Sequence, residues 1–252
     1  MVITLDGAPL IAYVLATIRL VAWLLIVPPF SSRAVPTLAK SLLAVGLAMT
    51  VAPSLAEAEP PTDAGGLIAA AVQEALIGAT MGFIVFLAFS VFQAVGDLVD
   101  VFGGFSLAAA FDPLSQNMNS VHGKLFSMLG LMLLFATDAH LLVVGGLLRS
   151  FEAMPLGTPW QPGDMTEVLT TLFSVFFASA VQIALPLIAV LFVADLGLAL
   201  LTKVAPQLNA IGIMFPAKIG LTLLVVGMSF SVLPDALGRL VEVVSEAQAA
   251  LG

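Results

Sequence analysis

The chain contains no cysteine and little charge: 252 residues carry 8 Lys plus Arg and 16 Asp plus Glu, 10% in all. Without cysteine there are no disulfides, no thiolate metal sites and no cysteine nucleophile. Positive charge is the scarcer sign, and a net charge of -8 lacks the basic footprint that nucleic-acid binding requires. Histidine is also scarce. His122 and His140 belong to different segments, and no HExxH, GxSxG, GxGxxG or phosphate-loop pattern is present. Ser120, His122 and Lys124 stand close together in "SVHGK", but a serine nucleophile needs an activating base in defined geometry, which this spacing alone does not supply. Two isolated histidines and loose carboxylates make no metal site either. The expectation is a protein that is not an enzyme and carries no cofactor.

What the chain has in quantity is apolar side chain: 60% of its residues are hydrophobic and the mean hydropathy is +1.14. Soluble domains are more charged and less apolar, so the surroundings of this chain are lipid. A spanning helix needs roughly 20 apolar residues. About six segments meet that length: Leu10–Phe30, Leu38–Leu55, Leu67–Val95, Leu125–Leu148, Val168–Leu201 and Leu208–Leu233. The expected fold is all-α and polytopic, with some segments kinked or paired. The third and fifth exceed one crossing, so they tilt, kink or project beyond the lipid, and Pro186 predicts a kink in the fifth. No basic region precedes the first segment, so a cleaved signal peptide is not expected. No internal repeat stands out, and residues 1–252 are taken as one membrane-embedded domain.

Arg33, Lys40, Lys124 and Lys203 fall in odd-numbered connections and Arg149 in an even one. The positive-inside rule then places the odd connections in the cytoplasm. The tail over 235–251 differs from the rest: Leu237, Leu240, Val241, Val244 and Ala247 recur at helical spacing among polar residues, which predicts a short amphipathic helix after Pro234. Four charges, Arg19, Glu74, Asp195 and Lys218, lie within or beside apolar segments. A charge at mid-bilayer costs about 2.5–3.5 kcal/mol on insertion scales, so such groups face protein or water. Two basic and two acidic residues can pair, for packing or as an ion pathway. Gly78 and Gly82 have the spacing that lets helices approach closely.

Between the third and fourth segments runs "FGGFSLAAAFDPLSQNMNSVHGK", residues 102–124. Gly103 and Gly104 relax the backbone, and Pro113 keeps Asp112 out of helix. Phe105, Phe111 and Met118 make the stretch apolar, and Gln116, Asn117 and Asn119 can satisfy backbone groups that lipid cannot. From the residues alone, an ordinary loop with an amphipathic turn and an apolar seal are equally open.

A family resemblance favours the seal. Arg19, "PPF" at 28–30 and "VP" at 35–36 before Lys40 open the pattern. "EALIG" at 74–78 follows, with Gly82, Gly96 and Asp100, then "FDPLS" at 111–115. "DAH" at 138–140, "SF" at 150–151 and "PLG" at 155–157 come next. "LP" at 185–186, Asp195, "APQLN" at 205–209 and "FPAK" at 215–218 complete it. In this order and spacing the chain resembles the FliR/SctT family of type III export-gate proteins, departing at "DAH", where the family pattern is Asp-Gly-His. The resemblance implies a subunit that assembles with FliP- and FliQ-like proteins and contacts an FlhB-like one in the bacterial inner membrane. The complex passes unfolded export substrates across that membrane. It also implies that a loop matching residues 103–119 lies in the channel and helps plug it. The alternative class, a secondary transporter of small solutes, predicts two related halves with broken helices, and no matching halves are found. A third class is a membrane assembly factor with no channel of its own; a gate subunit co-purifies with FliP- and FliQ-like partners, and a transporter does not.

Overall fold

The computed structural model of the chain describes residues 7–51, 60–61, 63–105, 120–157, 165–205 and 210–250. Among them the order is α1 (Gly7–Ile26), α2 (Thr37–Thr50), α3 (Ala64–Gly103), α4 (Val121–Ala136), α5 (Ala139–Ala153), α6 (Met165–Val204), α7 (Ala210–Ser229) and α8 (Leu233–Ala249). No strand occurs among the described residues, and the protein is an all-α polytopic membrane protein.

Local chemistry sets several helix ends. The Ser120 hydroxyl accepts the Gly123 N–H at 2.8 Å and caps α4. Pro36 precedes α2 and accepts the Lys40 N–H. The Asp63 carboxylate takes the Gly66 N–H at 2.8 Å at the start of α3. Pro234 stands in the first turn of α8, where its missing N–H costs nothing.

Among the described residues, three helices are individually long and apolar enough to cross a membrane: α1, α3 and, over Thr166–Val204, α6. Two further pairs pass the same test together across a sharp bend, α4 with α5 and Pro216–Ser229 of α7 with α8, giving up to five spans. The sequence expectation of about six differs in two places. The second segment forms only the 14 residues of α2, about 21 Å at 1.5 Å per residue and short of a hydrocarbon core of roughly 30 Å. The fourth segment is interrupted at Thr137 and Asp138, and Asp138 adopts a left-handed conformation with φ 56°. Asp tolerates that region better than most residues because its short side chain bonds locally. The third and fifth segments, by contrast, become helices of 40 residues each, and α6 continues through Pro186.

The chain packs as two compact units, one of Met1–Ala88, Asp138–Phe173 and Val241–Gly252, the other of Phe89–Thr137 and Ser174–Leu240. In the first unit α1 lies against α2, with the Tyr13 hydroxyl donating to the Val45 carbonyl at 2.5 Å. The start of α3 also lies on α1: a Cβ at Gly78 would collide with the Arg19 carbonyl, and one at Gly82 would stand 3.2 Å from the Trp23 carbonyl. The Gly78/Gly82 spacing is therefore a packing device. Leu20, Trp23, Leu24, Ile77, Met81 and Leu147 fill this core.

In the second unit the end of α3 carries the start of α4. Gly96 makes this possible, since a Cβ there would collide with the His122 carbonyl and the Gly123 nitrogen. Within this unit α6 buries one narrow stripe, Ala180, Ala184, Leu187 and Leu191, at helical spacing, and exposes large apolar residues such as Phe177, Leu185, Val193 and Leu200.

Candidate functional site

The first unit closes around Arg19. Its Nε donates to Glu74 Oε2 at 2.6 Å, and the two side chains are 0% and 1% exposed. Nη1 donates to the Ser150 carbonyl at 3.0 Å and to the Ser150 hydroxyl at 3.2 Å, and Nη2 donates to the Met154 carbonyl at 2.9 Å. The guanidinium lies over the Phe151 ring, 4.3 Å from its centroid. One side chain thus ties α1 to α3 and takes two carbonyls at the partially negative C-terminal end of α5, that of Met154 and that of Ser150, which also accepts the Met154 N–H. A planar fork of donors suits this task in a way a lysine would not.

The second pair of apolar-segment charges also meets. Lys218 Nζ of α7 is 2.8 Å from both Asp195 carboxylate oxygens of α6. This pair is half-open, with side-chain exposures of 14% and 36%. Sequence reading grouped all four charges as buried; in the chain by itself only the Arg19–Glu74 pair is enclosed, because the narrow packed stripe of α6 leaves Asp195 at its margin.

Near Lys218 begins the stretch singled out between the third and fourth segments. Gly104 has φ +83°, a conformation that favours glycine, and a Cβ on it would stand 3.6 Å from the Lys218 Cδ. Gly103 packs on Thr222, where a Cβ would be 3.0 Å away. Phe105 meets the His122 ring edge-on, with centroids 4.7 Å apart and planes at 82°. Phe111, Asp112, Pro113 and Met118 lie outside the described residues, as do Pro206, Gln207, Leu208 and Asn209 of "APQLN".

A third polar cluster was not anticipated. Asp100 of α3 pairs with His122 Nδ1 through Oδ1. Its Oδ2 accepts the Ser120 hydroxyl at 2.6 Å and the His122 N–H at 3.2 Å. Asp100 and His122 are 4% and 2% exposed. The available signal was a carboxylate at the end of an apolar segment together with the serine of "SVHGK", a residue type favoured as a helix N-cap. What "SVHGK" failed to provide as a catalytic triad it provides as a junction between helices. Among the described residues, no group of three or more His, Cys, Asp or Glu side chains is placed to hold a metal ion.

Comparison with known proteins gives a match over residues 10–244 to the model for bacterial export proteins, family 1. The chain is 32% identical over 199 residues to the flagellar biosynthetic protein FliR of Escherichia coli K12, covering 79% of this chain and 76% of that protein. It is 27% identical over 223 residues to the Yop proteins translocation protein T of Yersinia pestis, covering 86% and 85% of the two. The surface presentation of antigens protein SpaR of Salmonella typhimurium is 27% identical over 205 residues, 80% of this chain and 76% of that protein.

Proposed function

We propose, from the premise that this chain belongs to the bacterial export proteins, family 1, and is a membrane component of a type III export apparatus, that it forms part of the channel itself. In this reading it assembles with FliP- and FliQ-like subunits in the bacterial inner membrane, contacts an FlhB-like protein, and passes unfolded substrates. The observation that carries the reading is the similarity over nearly the whole chain to both flagellar and virulence-system proteins. Helices α3 and α6, at 40 residues each, are about 60 Å long and exceed a hydrocarbon core of roughly 30 Å. Much of their apolar surface then calls for protein neighbours rather than lipid.

The stretch from Gly103 to Asn119 is the proposed seal of the resting channel. Large apolar side chains, Phe105, Phe111 and Met118, exclude a continuous file of water, and glycines at the entrance allow displacement when a substrate passes. Deleting Ala108 to Asn117 leaves assembly intact and makes the membrane leak ions; Phe111→Ala does the same more mildly. The measurement is ion conductance, or growth under salt stress, in cells making the complete complex. A deletion that assembles and keeps the membrane tight removes the seal from this stretch.

A further inference from the structure

The described helix ends on either side of residues 106–119 meet at one carboxylate. Asp100 stands near the end of α3 and receives three contacts from the start of α4: the Ser120 hydroxyl, the His122 N–H and His122 Nδ1. Phe105, the last described residue before the stretch, packs on the His122 ring. Ser120, the first described residue after it, also caps α4 through Gly123. Backbone packing fixes the same place, because Gly96 lies so close to His122 and Gly123 that no Cβ fits between them. Asp100 and His122 are 4% and 2% exposed, so little water reaches them to replace a lost contact. A joint with this construction resists sliding.

We infer that Asp100 is a positioning residue of the export gate: through Ser120 and His122 it holds the start of α4 on the end of α3 throughout export. The two helix ends stay together when the channel is open. The inference rests on the channel reading above, and deepens it by naming a contact that does not open.

The absence of cysteine from the chain makes a direct test available. Asp100→Cys is combined with Ser120→Cys in cells making the complete apparatus, and the two thiols are joined with a short, reducible thiol cross-linker. Unbridged, the variant has lost the joint, and ion leak rises several-fold above the parent. Bridged, tightness returns and secretion of an export substrate proceeds at the parental rate. A bridged variant that stops secreting shows that the joint has to open, and an unbridged variant as tight as the parent shows that Asp100 is not needed; either overturns the inference. If the double variant is not recovered in membranes, Ser120→Ala decides: a leak several-fold above the parent supports the joint, and unchanged tightness overturns it. The deletion of Ala108 to Asn117 with Asp100 intact keeps the two ideas apart. A tight membrane in that strain removes the seal, while the secretion of the bridged variant still decides the joint.

Discussion

Arg19–Glu74 and Lys218–Asp195 are both contacts of less than 3 Å between a basic side chain on one helix and a carboxylate on another, but the first pair is 0% and 1% exposed and the second 14% and 36%. Around Arg19 every approach is filled by protein: Glu74, the end of α5, the Phe151 face and the Gly78 contact. Around Asp195 one side remains open, next to exposed Phe192, Val193 and Leu196 of α6. The first pair is enclosed within this chain and serves its fold, although Glu74 Oε1 is buried without a hydrogen-bond partner. The second presents polarity on an apolar surface, which lipid does not accommodate well.

Glu74→Ala produces the largest effect that distinguishes the two pairs. It leaves the Arg19 guanidinium buried without its counter-ion, a change that costs about 3–5 kcal/mol. Protein abundance in the membrane falls steeply, as read by quantitative blotting, whether or not partner subunits are made. Gly78→Ala attacks the same region without touching charge. Its Cβ collides with the Arg19 carbonyl, and overpacking of this kind costs about 1–3 kcal/mol. The thermal transition of the purified complex therefore drops, and drops more than for Gly82→Ala, whose nearest contacts are 3.1–3.2 Å.

Lys218→Ala has a smaller effect of a different kind. The Asp195 side chain is more than a third exposed, so less of the packing within the chain depends on this pair than on Arg19–Glu74. The variant accumulates in membranes, but the yield of assembled complex falls below that of Glu246→Ala, an exposed change expected to stay within about 0.5 kcal/mol. Equal complex yields for the two would remove Lys218 from any interface role, and loss of the chain as severe as for Glu74→Ala would erase the distinction between the pairs.

Hydropathy made the helical class and the two longest helices legible, because 40 residues of nearly unbroken apolar sequence leave few other structures in lipid. It did not mark the interruption of the fourth segment, although Thr137 and Asp138 were there to read. A run of apolar residues on both sides outweighs two polar ones in any window average. Within Leu38–Leu55 the described helix stops at Thr50, shorter than the apolar run that marks it. The four charges were visible individually, since each is improbable in its segment. Their pairing across 55 and 23 positions depends on packing that no local pattern encodes. Asp100 and His122 were in view separately, one within a family motif and one as a discarded triad member, and only the approach of α3 and α4 at Gly96 joins them. Most of the proposed seal lies outside the described residues, and for it the sequence remains the guide.

Membership in a multi-subunit channel is tested by affinity purification of the tagged chain from cells producing the whole apparatus. The predicted result is a defined complex containing FliP- and FliQ-like subunits, with the chain unstable or heterogeneous when those partners are not made. A well-behaved monomer, recovered in the same state with and without the partners, would contradict it.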